Sequence, residues 1–239
     1  MILAAGLGTR MRPFTNNTPK ALIKINNKTL LEIAIEKLIN YGFNEIVINV
    51  HHLADQIVEY IEQNKFDAKI SISYEKDELL DTGGGLKHAE RFLTGDEPFL
   101  LHNVDIVSNL NLKTLYDFHV DSDAIATVVV RKRKTHRYFL FNKDNILRGW
   151  MNEGNGKKII ISDDIPLNKY AFSGIHVIDP NIFSLMPDKD VFPIATLYLN
   201  IGLENNICAF IDEQSTWIDV GYPEYVKLAE ENFAKLVEV

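Results

Sequence analysis

Short apolar runs alternate with amphipathic helical stretches along the first 105 residues, and this alternation constrains the fold more than any other feature. Met1 to Ala5, Glu45 to Val50, Lys69 to Tyr74 and Pro98 to His102 read as strands. Thr29 to Tyr41, Leu53 to Gln63 and Gly85 to Leu93 read as helices. The first of these sets Leu30, Ile33, Ala34, Leu38 and Ile39 on one stripe and stops at Gly42. A βαβαβαβ order predicts parallel strands, right-handed crossovers and helices on both faces of the sheet.

The second half changes character. Ala124 to Arg131, Tyr138 to Asn142 and Ile146 to Trp150 read as a strand meander, with a hairpin turn at Asn142-Lys143-Asp144-Asn145. Ala171 to Ile178 is a further strand, and Asp179-Pro180 a cap and first helical turn. Val191 to Ile201 and Tyr222 to Val237 read as helices around a strand at Ile207 to Ile211. The fold class is α/β, with a mixed, mainly parallel central sheet. No Pro/Ser/Gly-rich linker interrupts the chain, so residues 1–239 are expected to form a single domain, with halves at 1–120 and 121–239.

Composition removes several classes. A formal charge of -8 argues against a general nucleic-acid binder, so cations should concentrate where an anion binds. The single Cys208 excludes an internal disulfide and fits a reducing compartment. No apolar run reaches membrane-spanning length, and the first residues are too short and uncharged for a signal peptide, so a cytoplasmic protein without membrane partners is expected.

The chemistry begins where the first strand ends. Leu3-Ala4-Ala5-Gly6-Leu7-Gly8-Thr9-Arg10-Met11-Arg12-Pro13, closed by Thr18-Pro19-Lys20, couples a glycine-rich loop to three cations. Glycines let backbone N–H groups approach an anion, and Arg10, Arg12 and Lys20 supply charge for a polyphosphate. A tight turn could use the same glycines for steric reasons alone. A P-loop needs Gly-Lys-Ser/Thr, and the dinucleotide fingerprint needs a third glycine where Arg10-Met11 stands, so a nicotinamide-dependent oxidoreductase is disfavoured.

Asp105 follows a buried strand, and Asp219 lies in Trp217-Ile218-Asp219-Val220-Gly221. If they converge they form a hard oxygen site suited to Mg²⁺; taken singly, each is equally a cap. Asp81-Thr82-Gly83-Gly84-Gly85 permits flat backbone contact with a base or phosphate, or is a flexible turn. His51 and His52 have no third ligand nearby, and a zinc site is rejected. Arg131-Lys132-Arg133-Lys134, with Arg137 behind, is a solvated hairpin tip or the seat of an acceptor phosphate. Phe172-Ser173-Gly174-Ile175 suggests a bulge or close approach by a ligand.

Together these motifs resemble the sugar-1-phosphate nucleotidyltransferase family. The signature is matched from Leu3 to Lys20, and the likeness continues at Asp81 to Gly85, Asn103 and Asp105, Phe172 to Ile175 and Trp217 to Gly221. The short length and the Thr-Gly-Gly-Gly and Trp-Ile-Asp-Val-Gly forms are similar to N-acetylmuramate-1-phosphate uridylyltransferases, with mannose- and heptose-1-phosphate guanylyltransferases close by. The resemblance implies a Rossmann-like three-layer α/β/α core, with the nucleotide on residues 1–120 and the sugar phosphate on 121–239. It implies Mg²⁺, with Mn²⁺ as a substitute, on Asp105 and Asp219, and catalytic duty for Arg10 and Lys20. Nucleotide contacts are implied at Ala5, Gly6, Gly8, Thr9, Arg10, Thr82, Gly83 and Asn103, and sugar-phosphate contacts at Gly174, Arg137 and Glu153. The partners implied are an NTP and a sugar 1-phosphate, in a monomer or homodimer. Three departures stand out: strand one starts at Met1 itself, Val104 replaces a common glycine, and only Glu153-Gly154-Asn155 approximates the family's Glu-Lys-Pro element. A catalytically silent sugar-nucleotide sensor is the competing class, disfavoured because Lys20, Asp105 and Asp219 are all present.

Overall fold

Strands that are apolar along their whole length must be covered on both faces, and the computed structural model, which describes residues 1–237, shows the two covers. β1 (Ile2–Leu3) leads through a long loop to the ribbon β2 (Lys24–Ile25) and β3 (Lys28–Thr29). Then α1 (Leu30–Asn40), β4 (Glu45–Val50), α2 (Ala54–Gln63), β5 (Lys69–Tyr74), α3 (Asp81–His88) and β6 (Phe99–Asn103) alternate. β7 (Ile106–Ser108) and α4 (Leu112–Val120) end the first half. The second half holds β8 (Ala126–Arg131), β9 (Arg137–Phe141), β10 (Leu147–Asn152), β11 (Lys157–Ile160) and β12 (Asn168–Ile178). After these come α5 (Ile194–Ile201), β13 (Ile207–Ile211), β14 (Trp217–Asp219), α6 (Pro223–Glu231) and α7 (Phe233–Leu236).

One ten-stranded sheet runs through both halves in the order β11-β10-β9-β12-β6-β1-β4-β5, with β8 pairing β12 and β13. β1 is parallel to β4 and β6, and β4 to β5. β12 runs antiparallel to β6 and so joins the parallel half to the antiparallel one. Alternate residues of each strand enter opposite cores. Ile2, Ile46, Ile48 and Leu100 pack with α1, α2, α4 and α6, whereas Met1, Val47 and Leu101 pack with α3 and α5. The expected three-layer α/β/α arrangement with a mixed, largely parallel centre is therefore the one observed.

Some elements differ from the sequence expectation. The helix expected over 85–93 starts at Asp81, so its three glycines lie inside it. Helix propensity opposes that placement, and packing overrides it: the N–H groups of Gly83 and Gly84 both donate to the Phe192 carbonyl, at 2.9 and 3.1 Å. The last helix breaks at Asn232, whose side chain donates back to the Leu228 carbonyl, and the break lets Leu236 reach the core. α4 is an addition to that reading although Leu112, Leu115, Tyr116 and His119 recur at helical spacing, whereas β11 and the three-residue strands β7 and β14 are too short for a periodic signal.

Candidate active site

The loop after β1 is fixed before any ligand is considered. Ala4 N–H donates to Asn49 Oδ1 at 2.7 Å. Gly8 sits at φ +63, and its carbonyl accepts from Met11 N–H at 2.9 Å and Thr15 Oγ1 at 2.7 Å. A Cβ at Gly8 would meet Thr15 Cγ2 at 2.9 Å, so this position needs glycine for space as well as for its backbone angle. Fully buried Met11 anchors the short 3₁₀ turn Thr9–Met11. Gly6, by contrast, faces open space.

The carboxylates converge. Asp105 lies between β6 and β7, and Asp219 sits opposite Ile106 in the β14–β7 ribbon, where Val220 N–H donates to the Asp105 carbonyl at 2.9 Å. Lys20 Nζ hydrogen-bonds Asp105 Oδ2, both side chains being mostly buried. Asp219 Oδ1 is buried with no partner among the described residues. Burial first, and then the charge of Asp105, raise the Asp219 pKa above its ordinary value, against the pull of Lys20, Arg10 and Arg133. The Arg10 guanidinium lies 4.6 Å from the Tyr222 ring centroid. Burial opposes its charge, but Tyr222, Asp219 and Asp105 outweigh that and raise its pKa. Two adjacent carboxylates, one with an orphaned buried oxygen, form a hard donor set of the kind Mg²⁺ takes together with phosphate oxygens and water. No group of three or more His, Cys, Asp or Glu side chains suited to a metal occurs among the described residues.

Arg10, Lys20 and Asp105 border a cavity of about 520 Å³. Ala5, Gly6, Gly8, Thr9, Arg10 and Lys20 line one side, Asn103 and Asp105 the floor, and Asp81 and Thr82 the far wall. Gly83 is set back. A Cβ there would strike the Phe192 ring, and one at Gly84 would strike the Asp190 carbonyl, so these glycines serve the packing of α3 against residues 190–192. Thr82 Oγ1 accepts from Ile194 N–H at 3.0 Å, at the start of α5. On the other side of the sheet edge, buried Gly174 sits at φ +80 in the bulge of β12, with Asn103 Nδ2 3.1 Å from where its Cβ would be. Arg137 lines a second cavity of about 340 Å³ beside Trp150 and Phe172, and exposed Glu153 pairs with Lys169 at 2.6 Å.

One buried network carried no motif. Asn49 Nδ2 donates to Glu75 Oε1 at 2.6 Å, and Glu75 Oε2 accepts from Leu80 N–H at 2.9 Å. A Cβ at Gly85 would sit 2.6 Å from Glu75 Oε1 and 2.7 Å from Asn49 Nδ2, which gives the third glycine its reason. This chain of bonds ties the loop after β1 to the turn before α3. Its one sequence signal is an asparagine inside the β-branched run Glu45 to Val50. His51 Nδ1 lies 2.7 Å from the Glu75 carbonyl and so belongs to the same turn.

Known proteins resemble this chain in sequence and in fold. A family model described as Nucleotidyl transferase matches residues 1–234. An N-acetylmuramate alpha-1-phosphate uridylyltransferase of Caulobacter vibrioides is 31% identical over 100% of this chain and 96% of its own. A UTP–glucose-1-phosphate uridylyltransferase of Synechocystis sp. is 29% identical over 94% of this chain, which spans 61% of that relative's length. Among solved structures, HddC of Yersinia pseudotuberculosis complexed with GMP-PN superposes with a TM-score of 0.75 at 23% identity, covering 97% of both chains. A UDP-glucose pyrophosphorylase complexed with UDP-glucose gives 0.76 at 17% identity, covering 98% of this chain and 97% of its own; at such identities the likeness is one of fold. With the family model spanning nearly the whole chain and a full-length relative above 30% identity, this chain belongs to the nucleotidyl transferase family, among its sugar-1-phosphate nucleotidyltransferases.

Proposed function

We propose that this protein joins UTP to N-acetylmuramate 1-phosphate or a related sugar 1-phosphate, forming the UDP-sugar and pyrophosphate. The observation that carries the reading is the convergence of Lys20, Asp105 and Asp219 beside the Gly6–Arg10 loop, with the full-length relative supporting the choice of base and sugar. A phosphate oxygen of the sugar 1-phosphate attacks the α-phosphorus of the NTP. The new P–O bond forms as the bond from the α-phosphorus to the oxygen bridging to the β-phosphate breaks. A phosphate is already ionised at neutral pH, so no general base is needed, and catalysis reduces to positioning and charge neutralisation.

In this reading the N–H groups of the Gly6–Thr9 loop hold the donor phosphates and Arg10 neutralises the departing pyrophosphate. Lys20 delivers its charge at Asp105, where the reacting phosphates meet. Asp105 and Asp219 would hold Mg²⁺, which when bound draws the two phosphates together and offsets their charge. Thr82 would meet the base, Asn103 the nucleotide and Gly174 the sugar; in support, Thr82 and Asn103 line the cavity and Gly174 adjoins Asn103. Residues 1–120 thus serve the donor and 121–239 the acceptor, within a single domain.

A guanylyl reading has one observation of its own. The Asp81 carboxylate lines the cavity, and the adjacent N1–H and N2–H₂ donors of guanine suit a carboxylate better than the flanking carbonyls of uracil do. Pyrophosphate release screened with UTP and GTP against the 1-phosphates of N-acetylmuramate, mannose, glucose, N-acetylglucosamine and heptose decides the matter. Turnover confined to UTP and N-acetylmuramate 1-phosphate is the expected result. Turnover with GTP alone gives the site to guanine, and release from no pair removes the proposal.

A further inference from the structure

In the basic run that begins at the end of β8, Arg133 is half-buried and fixed without a carboxylate. Arg131 pairs with buried Asp212 at 3.0 Å, and Lys132 with Glu213 at 3.0 Å. Arg133 forms no ion pair with a carboxylate among the described residues. Its guanidinium lies 4.8 Å over the Trp217 ring, and one Nη donates to the Phe172 carbonyl at 3.0 Å. Its Nε is buried without a partner. Trp217 is itself held, since its indole N–H donates to the Ser173 carbonyl at 2.9 Å.

The position of this cation follows from the strand. Trp217 and Asp219 are two apart on β14, so their side chains share a face. Phe172 and Ser173 lead directly into the Gly174 bulge. Arg133 is thereby clamped between the bulged strand and the face that carries Asp219, yet it forms no ion pair with Asp219. Arg10 flanks the same carboxylate from the loop after β1, and it too rests on an aromatic ring, that of Tyr222. A guanidinium fixed by stacking and one carbonyl keeps further N–H groups for an anion, and its planar fork matches two phosphate oxygens at once.

We propose that Arg133 anchors the phosphate of the acceptor sugar 1-phosphate beside Asp219. This rests on the nucleotidyl-transfer reading above. Exposed Lys132 is taken up by Glu213, and exposed Lys134 rests on no ring or carbonyl among the described residues.

Two variants, Arg133→Gln and Arg133→Lys, test the assignment with UTP and N-acetylmuramate 1-phosphate as substrates. Arg133→Gln is expected to raise KM for the sugar phosphate about tenfold or more, the scale of a lost charge-assisted hydrogen bond. KM for UTP should stay within about twofold and Tm should hold, with Arg133→Lys recovering part of the loss. An unchanged KM for the sugar phosphate overturns the assignment. So does an equal rise in both KM values with a lowered Tm, which marks a brace for Trp217 and β12. Calorimetric titration of N-acetylmuramate 1-phosphate, with no NTP present, into wild type and Arg133→Gln reads the anchor without turnover. Weaker binding to the variant with UTP binding intact supports it, and equal binding defeats it. If the wild type turns over no substrate pair, nucleotidyl transfer fails, and this calorimetric comparison still decides Arg133.

Discussion

The two halves of this molecule build their sides of the site by different means. The side proposed for the donor is made largely of backbone: a glycine loop at the end of a parallel strand, pinned by Asn49 and closed by Lys20, all but Asn49 within the first twenty residues. The side proposed for the acceptor is made of side chains brought from β8, β12 and β14 by antiparallel pairing, where Arg131, Lys132 and Lys169 are already engaged with carboxylates. A backbone site needs particular residues in a particular order, whereas a side-chain site needs only that distant strands find their register. Removing a charge should therefore act sharply on the donor side. Lys20→Ala is expected to lower kcat by about 10²–10³-fold, the scale of one lost stabilising donor to developing charge, with the far-UV circular dichroism unchanged. Normal pyrophosphate release by this variant would erase the contrast between the halves.

The same contrast decides what could be read from sequence. Gly8 was legible because its backbone angle and close neighbours demand glycine, Gly6 and Lys20 because they stand with it in one short segment, and the apolar strands because both faces are buried. The meeting of Asp105 and Asp219 was not legible, since it depends on β7 and β14, strands of three residues each. Gly83 and Gly84 looked like a base platform, but their close contacts are with Phe192 and Asp190, more than a hundred residues away. The fixation of Arg133 was hidden for the same reason: Trp217, which holds it, lies far along the chain in a ribbon that periodicity does not reveal.

The seam between the halves offers a second, smaller test. His102 on β6 and His176 on β12 are both buried, His102 beside the Asn103 carbonyl and His176 sharing a 2.9 Å hydrogen bond with the Tyr198 hydroxyl. Burial lowers both imidazole pKa values to about 3. The unfolded chain takes up these protons near pH 6.5 and the folded chain does not, so stability is full above that pH and is lost as pH falls towards 3. Each histidine contributes a slope of up to about 1.4 kcal/mol per pH unit in that window. Tm should fall between pH 7 and 4.5, and His176→Gln should flatten the decline. Trp150 and Trp217 both lie in the second half, so tryptophan fluorescence reports that half while circular dichroism reports the whole. Because β6 and β12 contribute to the same two cores, the two transitions should coincide; separate midpoints would show the halves melting apart.

The smallest expected effect probes where the division between halves is least clean. Lys87 belongs to α3, yet its ammonium donates to the carbonyls of Pro187 and Asp188 at 3.1 and 2.8 Å and to Asp190 Oδ1 at 3.0 Å. It thereby fastens the segment that carries Val191, which lines the donor cavity, and Phe192, which receives the N–H groups of Gly83 and Gly84. A wall of the cavity proposed for the donor is thus supplied by the second half and tied down from the first. The ammonium is partly exposed, so its loss should be modest: Lys87→Met is expected to raise KM for the NTP about threefold while leaving kcat and the acceptor KM unchanged. That outcome assigns the segment at 187–192 to the donor side despite its place in the chain. A rise in the acceptor KM instead would mean that this wall positions the sugar, and the boundary between the two sides would have to move from the sequence midpoint to the α3–α5 contact.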